Sequence, residues 1–556
     1  MQVKLGIAAL AVAAIAVTGC SSSKSSGGST GTDKSQASAS TNDINAVAYD
    51  QVPSGGTMRW PITGFPVNFN INQLDGNDSD TVDLMNATLP MTWNYDAGGK
   101  PILNTVVVDK AQQTSTSPQT IEYHINPKAV WSDGTPITYK DFAAMWKSLN
   151  GVDTKYIVPS TTGYDRIASV DKGATDQDVK VVFKSSYGEW QSLFSPIMPA
   201  SLNATADSFN KAWVNGPALS GGPFKVGSID KTAKTVTLVH NDKWWGNPAK
   251  LDKIQFITLD TTAQAKALQS DQVDFIDVGS SVASYKLAQA TQGVTLRKAG
   301  GPNWRHIDLG QNGALSDVKV RQAVMLSLNR EADAQASLGP LNWPSTLLNS
   351  HVWMNNQAQY KATCTDYCNR DLTKAASLLT EAGYVKGSDG IYAKDGRPLA
   401  LNFTIPSGVK ASSDEAAIRQ KALQEAGIKM NLQTVDVDHF FDQYVYIGKF
   451  DLTIYSWIGT PFPISGLQQL YNSKSSSNPS HIGSPELDSL IDKAVGTTEA
   501  QTAADSTYQI DQMIWNEGHS LPLYQRPELI FTKSTLENFG AYGFANKVYE
   551  NIGFKK

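Results

Sequence analysis

The chain has 556 residues, with 47 Lys and Arg against 52 Asp and Glu and a formal charge of −5 at pH 7. That mild charge argues against nucleic acid or an anionic membrane surface as the partner, because both select strongly basic surfaces. The length suffices for two or three domains with cores of their own.

The N-terminus reads as a targeting segment. Lys4 precedes an apolar run, Leu5 to Val17, of 13 residues. That is short of the roughly 20 residues a membrane-spanning helix needs, and it suits the apolar region of a signal peptide. The run closes on Val17-Thr18-Gly19-Cys20, a match to the lipobox of bacterial lipoproteins, whose cysteine carries lipid after cleavage. Residues 1–19 are therefore read as a lipoprotein signal peptide and Cys20 as the lipidation site. Nine of the twenty residues from 21 to 40 are Ser, with no aromatic or large aliphatic residue among them. Such a stretch buries too little surface to offset its ordering entropy. Residues 20–55 are expected to form a flexible tether, reaching roughly 30 Å over about 30 residues. The expected location is the extracytoplasmic face of the cell membrane, with lipid on Cys20 as the anchor.

Beyond the tether, short β-like runs alternate with amphipathic helices, the pattern of an α/β protein. No fixed-period repeat is visible. Ile121 to Ile125 alternates as a strand does, and Asp133-Gly134 marks a turn. Thr138-x-x-Asp141 has the form of a capping box, and Phe142, Met145, Trp146 and Leu149 then fall on one helical face. "TVTLVH", "KIQFITL", "LALNFTI" and "KMNLQTV" are strand candidates. Asp317 is placed to cap a helix with Val320, Val324 and Leu328 on one stripe. Asp371 is placed to cap another, with Leu372, Ala376 and Leu379 inward and Gly383 as its stop. With Cys20 assigned to lipid, Cys364 and Cys368 remain, and in an exported protein they are read as a disulfide. A metal half-site is the alternative, but no histidines cluster beside them and zinc needs four ligands.

Motifs for catalysis are absent: there is no G-x-S-x-G elbow, Walker loop, H-E-x-x-H or dinucleotide fingerprint. The seven histidines (124, 240, 306, 351, 439, 481 and 519) include no pair at i, i+3 or i+4. The chain is expected to be no enzyme and to carry no cofactor and no metal. Carboxylates such as Asp436, Asp438 and Asp442 fit a solvated acidic face as well as a site. Aromatics beside turn residues are more suggestive: Trp244-Trp245, Trp304 and Trp457. Loop aromatics at element ends commonly line ligand clefts.

Taken in order, "VWSDGTPITYKDF", "SGGPFKV", "NDKWWGNPAKLDKIQF", "QSDQVDFIDV", "DVKVRQAVMLSLNR", "DLTKAASLLTEAGY", "KFDLTIYSWIGTPFP" and "SLPLYQRPEL" resemble bacterial extracellular solute-binding protein family 5. This family includes oligopeptide-, dipeptide- and nickel-binding components of ABC importers. The resemblance runs from about Gly56 to the C-terminus. It implies a periplasmic-binding-protein-like type II fold, with two lobes joined by a hinge and an extra family-specific domain. On that reading domain I comprises residues 56–95, 214–306 and 521–556, domain II 96–213, and domain III 307–520. The box at Trp131 to Asp141 falls in the extra domain and is read as structural, outside the binding site. Implied partners are a small solute or peptide, a membrane permease and its cytoplasmic ATPase, with the chain itself a monomer.

The resemblance also implies a site. Trp457 matches the family's cleft aromatic. Peptide-binding members carry an Asp three residues later to pair with a peptide ammonium, and here Thr460 stands in that position. Pro461-Phe462 is similar to the nickel-binding branch, which leaves a metal-chelate ligand open. The candidate ligand contacts are Trp304, Arg305, Tyr455, Trp457, Thr460, Phe462, Tyr524 and Arg526, the aromatics as walls and the arginines as anion partners. Two readings stand beside peptide capture. One is a non-transporting lipoprotein of the same fold that regulates envelope glycolipid assembly. The other is a secreted hydrolase, for which no motif speaks.

Overall fold

The computed structural model describes residues 42–556. The signal peptide and Cys20 lie outside the described residues, as does the tether up to residue 41. Residues 42–55, read above as tether, are docked on the body. Asp43 bridges Ala541 backbone to backbone and meets Arg297 at 3.1 Å, and Asn538 accepts from the Val47 amide at 2.7 Å. Specific polar contacts hold this segment together with the buried Val52 and with Ile44, which packs against the core.

The first sheet joins distant parts of the chain. Thr57–Ile62 lies parallel to Lys253–Thr258, which pairs with Thr235–His240 and then Phe224–Asp230. Trp60 is the centre of its packing, with ring centroids of Phe256, Phe275, Phe539 and Tyr549 within 5.0 to 6.1 Å. N-terminal, central and C-terminal segments thus build one core. A second four-stranded sheet holds Val108–Thr116, Gln119–Ile125, Asp178–Phe183 and Ile167–Lys172. Helix Tyr139–Leu149 covers it, burying Phe142, Met145 and Leu149. Its capping box forms as the spacing predicts, with the Thr138 and Asp141 side chains answering each other's backbone amides. Trp131 is buried beside it, and Ser132 donates to the Ser220 carbonyl at 2.7 Å. The box therefore sets a strand–turn–helix junction inside a core. The hairpin Trp93–Tyr95 with Pro101–Leu103 straddles the boundary read at 95/96.

The third sheet orders Phe275–Asp277, Ser520–Lys533, Val294–Leu309, Leu452–Ile458, Ala400–Pro406 and Lys429–Val435. Val294–Leu309 and Ser520–Lys533 are the long members, 16 and 14 residues, paired antiparallel. One end packs with the first sheet's core. The other packs with a separate core built on Ile307, Val324, Leu379, Phe403 and Leu521. Between those ends the ladder breaks from Gly300 opposite Pro527 to Trp304 opposite Gln525. The carbonyls freed there are answered by side-chain amides: Asn356 to Gly300 at 3.0 Å and Gln525 to Gly301 at 2.7 Å. A glycine- and proline-rich break in two crossing strands is where a two-lobed body can bend. Asp317 and Asp371 cap their helices as read, and Gly383 follows the second at φ +87°. That helix turns Ala375 and Leu379 into the core, with Leu372 and Ala376 half-buried. Cys364 and Cys368 are bonded to each other.

Candidate functional site

The site begins with a register. Trp304 lies opposite Trp457, and His306 opposite Tyr455, in the pairing of Val294–Leu309 with Leu452–Ile458. Side chains alternate across a sheet, so these four rings share one face. The buried imidazole of His306 has Trp304 at 4.6 Å, Tyr455 at 4.5 Å and Trp457 at 6.1 Å, the last nearly parallel. Beneath them the Tyr455 hydroxyl donates to Asp308, whose other carboxylate oxygen is 3.3 Å from His306 Nε2. Burial pushes Asp308 upward, but His306, His519 and the Tyr455 donor together more than offset it and hold the carboxyl below its ordinary range. Burial, reinforced by Asp308, raises the Tyr455 phenol well above its ordinary value.

This face floors a cleft of about 550 Å³. Its walls come from Met354, from Phe441 and Tyr446 after strand Lys429–Val435, and from Pro463, Leu467 and Leu470 on helix Pro463–Leu470. Tyr471 and His351 close one end and Asn77 reaches in from the first lobe. Besides tyrosines, His351 is the one titratable residue in the lining among the described residues. It is already engaged: Nδ1 meets Asp511 at 2.6 Å and Nε2 meets the Ser520 carbonyl at 3.1 Å. Ser350 and Thr363 donate to the other Asp511 oxygen, each at 2.6 Å. The cleft therefore offers aromatic faces, hydroxyls, amides and backbone, and no unpaired fixed charge. A second depression, of about 610 Å³, lies beside the disulfide loop among Asp366, Arg370, Asp371 and Lys374 and has no aromatic wall.

The eight candidate residues divide. Trp304, Tyr455, Trp457 and Thr460 line the cleft together. Phe462 instead sets its ring edge-on to Tyr95 at 5.6 Å, while its amide donates to Thr460 Oγ1 at 3.1 Å. Arg305 points to the opposite face, where it pairs with Glu415 (Nη2–Oε2 2.5 Å, Nε–Oε1 3.3 Å) and reaches Ser412 at 3.3 Å. Tyr524, directly across from Arg305 in the ladder, donates to the same Glu415 at 3.2 Å. Burial raises Glu415, but Arg305 and Arg419 more than offset it and its carboxyl sits below the ordinary range. Burial pushes the Tyr524 phenol up to about 12. Arg526, two residues on along that strand, is half-buried and lowered by burial and then by the like charge of Arg305. The arginines thus belong to a charged layer behind the sheet, not to the cleft lining. His351, Met354, Phe441, Tyr446 and the 463–470 helix escaped the sequence reading. The helical spacing of Pro463, Leu467 and Leu470 and the aromatic run at 440–446 were the available signals.

No group of three or more His, Cys, Asp or Glu side chains is placed to hold a metal among the described residues. No described helix is long and apolar enough to cross a membrane.

Comparison with known proteins agrees with this architecture. The chain is 36% identical over 553 residues to the oligopeptide-binding protein OppA of Mycobacterium tuberculosis, covering 98% of this chain and 93% of that one. It is 26% identical over 249 residues to LpqW of the same organism, named a probable monoacyl phosphatidylinositol tetramannoside-binding protein; the match covers 44% of this chain and 38% of that one. Among solved structures, the periplasmic EDTA-binding protein EppA superposes with a TM-score of 0.83 at 27% identity, covering 95% of this chain and all of the other. Residues 105–479 match the description "Bacterial extracellular solute-binding proteins, family 5 Middle". The chain belongs to the family 5 bacterial extracellular solute-binding proteins.

Proposed function

We propose that this protein captures peptides in the aromatic cleft by hinge closure and hands them to the membrane permease of an ABC importer. The observation that carries the reading is the cleft lining, in which uncharged aromatic walls surround hydroxyl, amide and backbone groups. Apolar and aromatic peptide side chains gain by burial against such walls, and the peptide backbone finds hydrogen-bonding partners. The whole-length likeness to an oligopeptide-binding protein supports the same class. Thr460 brings no charge to balance a buried ammonium, so the preferred ligands keep their charged ends at the mouth of the cleft. A polyanionic chelate, as the EDTA-binding relative takes, finds no unpaired cation in this lining. LpqW resembles less than half of this chain, which gives the glycolipid reading less support.

The test is mass spectrometry of the protein purified from cells grown in rich medium, native and then denatured. A released ladder of peptides enriched in apolar residues is the expected result. A single non-peptide species would overturn the assignment. Anchoring through Cys20 belongs to the same proposal: Cys20→Ala is expected to leave the cell-bound fraction and appear in the medium, and its retention would refute anchoring.

A further inference from the structure

Helix Pro463–Leu470 carries five of the cleft's lining residues, Pro463, Gly466, Leu467, Gln469 and Leu470, yet it lacks a local N-cap. Phe462 occupies the cap position and makes no side-chain cap bond, and Pro463 at the first turn has no N–H to offer. The next two amides are bound by a residue 275 positions earlier. Ile464 N–H donates to Glu189 Oε1 at 3.0 Å and Ser465 N–H to Glu189 Oε2 at 2.7 Å. Glu189 follows strand Asp178–Phe183 of the second four-stranded sheet, whereas the helix follows strand Leu452–Ile458 of the six-stranded sheet. One carboxylate thus ties two separate sheets together at the rim of the cleft.

Neighbouring contacts fix that carboxylate. The Gly188 amide donates to the Val495 carbonyl at 2.8 Å, and a Cβ on Gly188 would stand 2.1 Å from the Thr497 carbonyl oxygen. Arg166 pairs with Asp492 at 2.5 Å on helix Pro485–Gly496 and also donates to the Ser186 carbonyl at 3.0 Å. Gln119 exchanges two hydrogen bonds with the Tyr187 backbone. The loop Ser186–Glu189 is therefore pinned on both sides.

We propose that Glu189 is a positioning residue for ligand binding: as a long-range cap it holds the helix Pro463–Leu470 in place as a wall of the cleft. The inference rests on the peptide-cleft reading above, and the cap joins parts already packed together, since Ile464 and Leu467 share a buried core with Phe183 and Tyr187. It carries a pH signature. Burial raises Glu189 from 4.5 to about 7, against the lowering effect of the Ser465 and Ile464 donors. The groups facing it are Tyr187 on its own segment, Ser465 on the capped helix and the Arg166–Asp492 pair beside them. The two amide donors favour the ionised form, one on each oxygen, so the cap is strongest above about 7 and loses an acceptor as protonation sets in below it.

Hydrogen exchange at Ile464 and Ser465 tests this without any ligand, comparing the wild type with Glu189→Ala and Glu189→Gln at pH 7.5 and 5.0 after correction for intrinsic rates. Glu189→Ala is expected to lose roughly tenfold in protection at these two amides while strand Asp178–Phe183 keeps its own. Wild-type protection at the pair is expected to fall several-fold at pH 5.0, where a proton occupies one acceptor oxygen, and that of Glu189→Gln to stay level. Equal protection in all three proteins would overturn the proposal. So would a loss shared equally by strand Asp178–Phe183, which would make Glu189 a support of the fold alone. If peptides fail to bind the wild type while the exchange pattern holds, the peptide reading falls and the clamp stands.

Discussion

Arg305 and Trp304 are neighbours in the chain with opposite duties. Breaking the buried Arg305–Glu415 pair leaves the carboxylate with Arg419, at 3.7 Å, as its remaining cation behind the sheet, at a cost of up to about 3–5 kcal/mol. Arg305→Ala is therefore expected to lower stability in urea unfolding by that order. Trp457→Ala is expected to leave the unfolding midpoint within about 1 kcal/mol of wild type and to weaken peptide binding by at least tenfold, read by calorimetric titration. The converse pattern would return Arg305 to the ligand site. His519 gives a pH dependence. Burial lowers it from 6.5 to about 3, so the folded protein prefers the neutral imidazole. Its contribution is complete above pH 6.5 and is lost as pH falls from there toward 3, by up to about 5 kcal/mol. A pH series of urea midpoints is expected to show that acid limb in the wild type and a reduced one in His519→Asn. Identical limbs would remove His519 from the account. Residue types were legible in the sequence, but facing was not fully used. A period of two places Trp304 and Arg305 on opposite faces, so both could not line one cleft. Tyr524 and Arg526 then follow Arg305, because the ladder sets Tyr524 directly across from it.

At the scale of elements, local grammar was the most readable part. The caps at Thr138, Asp317 and Asp371 and the strand Lys429–Val435 form where their residues indicate, because each cap depends on partners two or three positions away and the strand on its local composition. What escaped depends on distant partners. The first turn of helix Pro463–Leu470 is completed by Glu189, and residues 42–55 are held by Arg297 and Asn538. No window of sequence contains both sides of such contacts. The signature box supplies a test of structural against functional roles. Thr138→Ala removes the cap of helix Tyr139–Leu149 and is expected to cost about 1 kcal/mol in stability. Its ligand affinity is expected to match wild type. A tenfold loss of affinity with unchanged stability would place the box in the binding machinery instead.

For the whole molecule, the governing feature is the pair of crossing strands that enter both cores and break register at Gly300 to Trp304. The break lies next to the aromatic floor, so the hinge closure proposed above would change the distance between Asn77 and Trp457 in the cleft lining. Ligand shifts the population toward the closed form only by the difference in its affinity for the two forms. The ordered landmarks of the family made this architecture readable from the chain, while the identity of the walls waited on the geometry. Small-angle scattering during titration with an apolar-rich nonapeptide, for wild type and Trp457→Ala side by side, tests the central claim most directly. The expected result is a saturable fall in radius of gyration for the wild type, with the midpoint displaced at least tenfold to higher peptide concentration in the variant. A radius that stays constant while calorimetry records peptide binding would contradict closure around the aromatic cleft.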